Sequence, residues 1–111
     1  MIAELIITVA DVDEAVSFYT ETVGLDYLRR VRVEETSMVL LAAGATRVAL
    51  VPGPEPGIRL AFVSDDIAAD QRRLARRKVT TAGDPTRAKA GTVLPFADPW
   101  GNPLAFWEVG T

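Results

Sequence analysis

The chain contains no cysteine and no histidine. Without cysteine there are no disulfides, no thiolate nucleophile and no sulfur-ligated zinc. Without histidine the commonest metal ligand and the commonest general base near neutral pH are both missing. A Ser-His or Cys-His nucleophile is therefore excluded, and any metal would need oxygen ligands. Long apolar runs are missing as well: no stretch approaches the roughly 20 residues of a membrane-spanning helix. The first residues read as a strand rather than as the charged and apolar regions of a signal peptide, so a cytoplasmic location is expected. Excess positive charge is also absent. The net charge of −3 argues against a general nucleic-acid surface. The one basic cluster, Arg72, Arg73, Arg76, Arg77 and Lys78, has the spacing of a solvated helix face.

What is present is a large apolar fraction, 49% of 111 residues, enough for one packed domain over 1–111. Leu5, Ile7 and Val9 alternate with Glu4, Ile6 and Thr8, the period of a strand with two different faces. Asp11 then stands as an N-cap with Glu14 three residues on, a capping box. Val12, Ala15, Val16, Tyr19 and Val23 continue at helical spacing, and Gly24 suits the left-handed residue that ends a helix. A β meander is expected next, over roughly 27–34, 37–42 and 47–51, with Gly44 in a turn. The segment from Pro52 to Gly57, with three prolines and two glycines, should not extend a sheet and reads as a linker.

Beyond the linker the pattern restarts. Leu60 and Phe62 alternate in a strand, and Asp65 and Asp66 stand where Asp11 stood. Ile67, Leu74 and Ala75 mark a helix, and Val79 begins an extended stretch. Residues 92–96 form a strand, and Asp98-Pro99-Trp100-Gly101-Asn102 turns into a last strand over 104–109. Asp11-Val12 and Asp66-Ile67 lie 55 positions apart, about half the chain. The order is an internal repeat of structure. It predicts an α+β fold of two βαβββ modules, about 1–52 and 58–111, joined by 53–57. Each module carries its helix on one sheet face, so a curved mixed sheet would leave a concave cleft on the other.

The stretch from Thr8 to Tyr19, continued by Val23-Gly24-Leu25, resembles the opening of the vicinal oxygen chelate superfamily. That superfamily includes glyoxalase I, extradiol dioxygenases and bleomycin-resistance proteins. Asp65-Asp66-Ile67 resembles the start of its second module, and Phe96-Ala97-Asp98-Pro99-Trp100-Gly101-Asn102-Pro103 its closing strand-turn-strand signature. Metal-dependent members hold one divalent ion with four side chains on the concave face. Carried over by these motifs, the four positions are Glu4, Ala49, Arg59 and Ala105. Only Glu4 could ligate, the alanines offer no lone pairs, and Arg59 puts a positive charge where the cation would sit. No metal and no other cofactor is expected. Glu108 becomes a second carboxylate candidate only if the register is shifted by one.

Glu4 and Arg59 are also 55 positions apart, so they are repeat mates on equivalent strands. Either they form an ion pair in the space of the metal, or Arg59 clamps a carboxylate or phosphate and Glu4 receives an amine or hydroxyl. Strand alternation adds Ile6, Thr8, Arg47 and Val51 to this face from the first module. From the second it adds Ala61, Val63 and Trp107, beside Ala49 and Ala105 already named. This is a mostly apolar concavity with few polar anchors, as in small-molecule sites. Trp107 either stacks on a planar ligand or fills core or interface. Tyr19 reads as packing and Tyr27 as a further hydroxyl donor.

Two functions follow as expectations. The first is a metal-independent binding protein for a planar or anionic small molecule, resembling the bleomycin-resistance branch. The resemblance also implies a homodimer. The second is a glyoxalase-like lyase or isomerase with Glu4 as general base or with an unrecognised metal site. A partner module without ligand is a third. Neither a nucleic acid nor a membrane is expected as partner.

Overall fold

The computed structural model describes residues 2–33, 36–79, 81, 83–88 and 91–109. The fold is α+β and consists of two βαβββ modules. Contacts divide the chain into two compact units, Glu4–Ile58 and Arg59–Thr111 with Met1–Ala3.

The first module runs β1 Ala3–Val9, α1 Val12–Ser17 continued by a π-helical turn Phe18–Val23, β2 Asp26–Val33, β3 Thr36–Ala43 and β4 Thr46–Pro52. Its strands lie in the order β2-β3-β4-β1, with β4 antiparallel to β3 and parallel to β1. Asp11 starts α1 as its sequence suggests: its backbone is extended, and its carboxylate accepts the Glu14 N–H at 3.0 Å. Leu5 and Ile7 of β1, Val12, Ala15, Val16 and Tyr19 pack on the fully enclosed Val39, Leu41, Val48 and Leu50. Tyr19 is thus a packing residue.

The single helix expected from Val12 to Val23 widens after Ser17. The Thr20 hydroxyl donates to the Val16 carbonyl at 2.7 Å, a local bond of the kind that bends helices. The wider turn rotates Val23 off the apolar stripe, and it is 53% exposed. Gly24 then takes φ 96° and ends the segment.

The second module runs β5 Gly57–Val63, α2 Ile67–Arg76, β6 Thr86–Ala88, β7 Gly91–Ala97 and β8 Pro103–Val109. The strand order is β5-β8-β7-β6, with β8 parallel to β5 and antiparallel to β7. Ile67, Leu74, Leu94 and Phe106 form its core, with Phe62, Val79 and Phe96 against them. The rings of Phe96 and Phe106 stack at 5.0 Å. Asp66 caps α2 through the Ala69 N–H at 3.1 Å. At the other end Val79 N–H donates to the Leu74 carbonyl at 2.9 Å and Lys78 N–H to the Ala75 carbonyl at 3.1 Å. This is a Schellman ending with Lys78, at φ 59°, in the place that Gly24 fills in the first module.

Three expectations are corrected. Pro52 closes β4 and Gly57 opens β5, so the linker is shorter than Pro52 to Gly57. A proline at a strand's last position gives up a donor that no ladder partner requires, and Gly53 N–H bonds the Val9 carbonyl instead at 3.0 Å. The strand after α2, expected in the extended stretch that begins at Val79, is the short β6 Thr86–Ala88, whose three residues carry no readable alternation. The second strand starts at Asp26, and its expected end, Glu34, lies outside the described residues.

Candidate functional site

In each module the parallel strand pair presents one face to the helix and the other away from it. In the first module Leu5 and Ile7 face α1, so Glu4, Ile6 and Thr8 lie on the helix-free face. Their register partners on β4 are Arg47, Ala49 and Val51. In the second module Phe62 and Phe106 face α2, so Arg59, Ala61 and Val63 lie on the helix-free face of β5. Ala105 and Trp107 stand beside Ala61 and Val63 on β8. The eleven residues expected on the cleft face from the sequence therefore sit on helix-free faces, six in the first module and five in the second.

Glu4 is the one charged group buried on the first of these faces among the described residues, with its side chain 8% exposed. Its Oε1 is bound by the Arg47 guanidinium, whose side chain remains 40% exposed. The partner of Glu4 is thus the residue beside it in register, within its own module. Arg59 is half-buried, and its Nη1 donates to the Leu104 carbonyl at 2.7 Å. Arg59 is thereby fixed through one nitrogen, and the remaining guanidinium donors of its fork are left for another acceptor.

Exposure divides the apolar residues. Ala49, Ala61 and Ala105 are buried and form floor, whereas Ile6, Thr8, Val51, Val63 and Trp107 are half-buried. A molecule on either face would touch the second group first. Trp107 has Val63 on one side and Val93 on the other in register.

The residues at the four positions that the resemblance implies would chelate do not fit a divalent ion. The first module offers one carboxylate, already bonded to a guanidinium, and a buried alanine. The second offers a guanidinium and another buried alanine. Among the described residues no group of three or more carboxylates stands where it could hold a metal. Glu108 belongs elsewhere: it points to the helix side, and its Oε2 accepts the Ile67 N–H at 3.0 Å at the start of α2. Glu108 is thus on the opposite face of β8 from Ala105 and Trp107.

Other polar groups are structural. The Ser64 hydroxyl donates to Asp70, a buried carboxylate on α2, and accepts the Asp66 N–H at 3.0 Å. Arg73 donates to the other Asp70 oxygen at 3.0 Å. This network locks the β5–α2 turn and was not foreseen. The hint was Asp70 on the apolar side of an otherwise charged helix. Arg72, Arg76, Arg77 and Lys78 are exposed, as a solvated face requires. Tyr27 is 52% exposed on the helix side of β2, away from the candidate face. Trp100 is 84% exposed at the tip of its turn. There Asp98 accepts the Asn102 side chain at 2.7 Å and the Trp100 and Asn102 N–H groups at 2.9 Å each. The Asn102 amide above all holds the Asp98 carboxyl below its usual range. An open depression of about 400 Å³ in the first module is bordered by Asp13 and Arg30, which are bonded to each other, and lies apart from the candidate residues.

No helix among the described residues is long and apolar enough to cross a membrane. No curated protein sequence matches the chain. Among solved structures it resembles methylmalonyl-CoA epimerase from Mycobacterium tuberculosis, with 22% identity, TM-score 0.75, and coverage of 97% of this chain and 87% of that one. It also resembles a hypothetical protein from Bacillus halodurans, with 15% identity, TM-score 0.80, and coverage of 100% and 95%. An antibiotic-binding protein from Streptomyces sp. CB03234 is 30% identical over 95% of this chain and 92% of its own, with TM-score 0.44. The sequence profile described as Glyoxalase/Bleomycin resistance protein/Dioxygenase superfamily matches residues 1–106. With two βαβββ modules and a profile match over nearly its whole length, the chain belongs to the glyoxalase/bleomycin resistance protein/dioxygenase superfamily.

Proposed function

We propose that this chain is a metal-independent small-molecule binding protein that acts as a cytoplasmic homodimer. The donor set supports this. Where the superfamily's metal enzymes need four lone-pair donors, this chain has one carboxylate bonded to Arg47, two buried alanines and an arginine. A guanidinium and a divalent cation compete for the same carboxylate, and the guanidinium is covalently tethered beside it. What remains on each helix-free face is a half-buried apolar surface with a few fixed polar anchors, the composition of a binding site for an organic ligand. Binding would follow from burying the ligand's apolar area against Ile6, Val51, Val63 and Trp107, with hydrogen bonds setting its orientation.

The alternative, a lyase or isomerase with Glu4 as general base, is weakened by the same pair. A base must reach the substrate proton within hydrogen-bond distance, and the Glu4 carboxylate is buried and already accepts from Arg47. Elemental analysis of protein purified without chelators tests the proposal, with thermal shift against Mn²⁺, Ni²⁺ and Zn²⁺. The expected result is no bound metal and no shift with any of the three. About one ion per chain would overturn it. Thermal shift against planar antibiotics and carboxylate metabolites should in turn find stabilising ligands.

A further inference from the structure

We infer that the second module alone selects its ligand: a flat, roughly two-ring aromatic carboxylate, with its anionic end on Arg59 and its rings on Trp107. The inference rests on the binding function proposed above and names the ligand class. The two modules present equivalent faces but unequal charge. On the first, Arg47 is neutralised by Glu4. On the second, Arg59, Ala61, Val63, Val93, Ala105 and Trp107 include no acidic residue.

Among the described residues Arg59 has no carboxylate at ion-pair distance, and it is half-buried beside apolar surface. Its Nη1 is held by the Leu104 carbonyl at 2.7 Å, which fixes the guanidinium plane and leaves the other nitrogen edge to donate in parallel to a carboxylate. A carbonyl oxygen supplies no charge, so the cation lacks a counter-ion that a bound anion would provide. A neutral ligand would leave this charge unpaired and partly desolvated, and a cationic one would be repelled.

The spacing sets the ligand's length. The guanidinium is anchored at the level of Leu104, and Trp107 lies three residues further along β8. At 3.3 Å per residue that separation is about 10 Å, the length of a biphenyl carboxylate and more than a single benzoate spans. Between the two ends, Ala61 and Ala105 expose no surface of their own, so a ligand there rests on the half-buried Val63 and Trp107 rather than on the alanines. Val63 and Val93 are the cross-strand neighbours of Trp107, and its half-buried ring offers the aromatic surface on which a planar ligand stacks.

The chain has two tryptophans, and Trp100 is exposed at a turn. Trp100→Phe therefore leaves Trp107 as sole fluorescent reporter. In that background 4′-nitrobiphenyl-4-carboxylate should quench Trp107 on contact, and it should bind about tenfold or more tightly than neutral 4-nitrobiphenyl, the worth of a charge-assisted bidentate contact. Arg59→Gln should erase the difference, Arg59→Lys should retain only part of it, and Arg72→Gln on α2 should leave it intact. Should Arg59→Gln not fold, 4-nitrobenzoate decides: it should compete with the long probe while quenching little, being too short to reach the ring. Equal binding of the charged and neutral probes, or full quenching by the short one, overturns the inference and leaves the wider binding function standing. Silence from both long probes also overturns it, and the wider function then falls only if the thermal-shift screen is silent too.

Discussion

Replacing Arg47 by Met should destabilise the fold through Glu4 rather than through any contact of its own. Glu4 has an 8% exposed side chain, and the Arg47 guanidinium is its bonded partner. Removing one member of a fully buried pair costs about 3–5 kcal/mol, because the other charge is stranded out of water. Arg47 is 40% exposed, so water reaches one side of this pair, and about 2 kcal/mol is the expected loss. For 111 residues the unfolding entropy implies a fall in Tm of roughly 9 °C. Glu4→Leu with Arg47→Met removes both charges and places apolar groups of similar volume on an already apolar face. The double variant should recover most of the loss, to within about 1 kcal/mol of wild type. Urea denaturation followed by circular dichroism measures all three proteins, and a double-mutant cycle isolates the coupling. An Arg47→Met loss below about 0.5 kcal/mol, or a double variant no better than the single, would refute the pair as the reason Glu4 is tolerated. The variants also bear on the metal. Even with Arg47 removed, the single variant should gain nothing from Mn²⁺, since one carboxylate is too few.

Other outcomes follow from local geometry. Lys78 holds φ 59° at the end of α2 with an otherwise complete Schellman pattern. Lys78→Gly should therefore stabilise by about 1 kcal/mol in thermal denaturation, relieving the left-handed strain of an L side chain. A Cβ at Gly53 would lie 2.5 Å from Thr8 Cγ2. Gly53→Ala should cost about 1–3 kcal/mol, and Thr8→Ser, which deletes that methyl, should restore most of it in the same assay. Asp98 titrates below the ordinary aspartate range in the fold because Asn102 donates to it. Its contribution is present above the unfolded value and is lost as pH falls through the lowered folded one. An NMR titration should show the Trp100 and Asn102 amides losing their turn shifts only on that acid side, and Asp98→Asn should remove the transition.

The fold was legible where one residue type has one job. Asp11 and Asp66 cap helices because a short carboxylate reaches back to an amide three residues on. The alternation in β1 and β5 assigned faces correctly because side chains in a strand have a period of two. Partner identity was not legible. Repeat spacing set Glu4 against Arg59, but pairing is decided between neighbouring strands, and the register puts Arg47 beside Glu4. The role of Glu108 was hidden for the same reason: its amide partner, Ile67, is 41 residues distant. The π-helical turn escaped because its cause, a threonine hydroxyl on a backbone carbonyl, leaves the apolar spacing nearly intact up to Tyr19.

The difference between the two modules reduces to one cross-strand pair, Glu4 with Arg47 in the first and Arg59 with Pro103 in the second. On the first face the arginine lies on the outer parallel strand and its neighbour across the ladder is Glu4. On the second the arginine lies on β5, and one step back along the β5–β8 register its neighbour is Pro103. The proline side chain offers neither charge nor acceptor, and Arg59 donates to the adjacent Leu104 carbonyl. If that is why the second face is cationic, supplying an acid there should cancel it. Pro103 is exposed at the start of β8, where a glutamate is sterically free and loses only a fixed φ. Pro103→Glu should give Arg59 a counter-ion as Glu4 does for Arg47, and the roughly tenfold preference for the biphenyl carboxylate over its neutral analogue should shrink towards unity. Binding of the neutral analogue should be unchanged, since the floor and Trp107 are untouched. A preference that survives in Pro103→Glu would mean that the anion is recognised by something other than an unpaired Arg59.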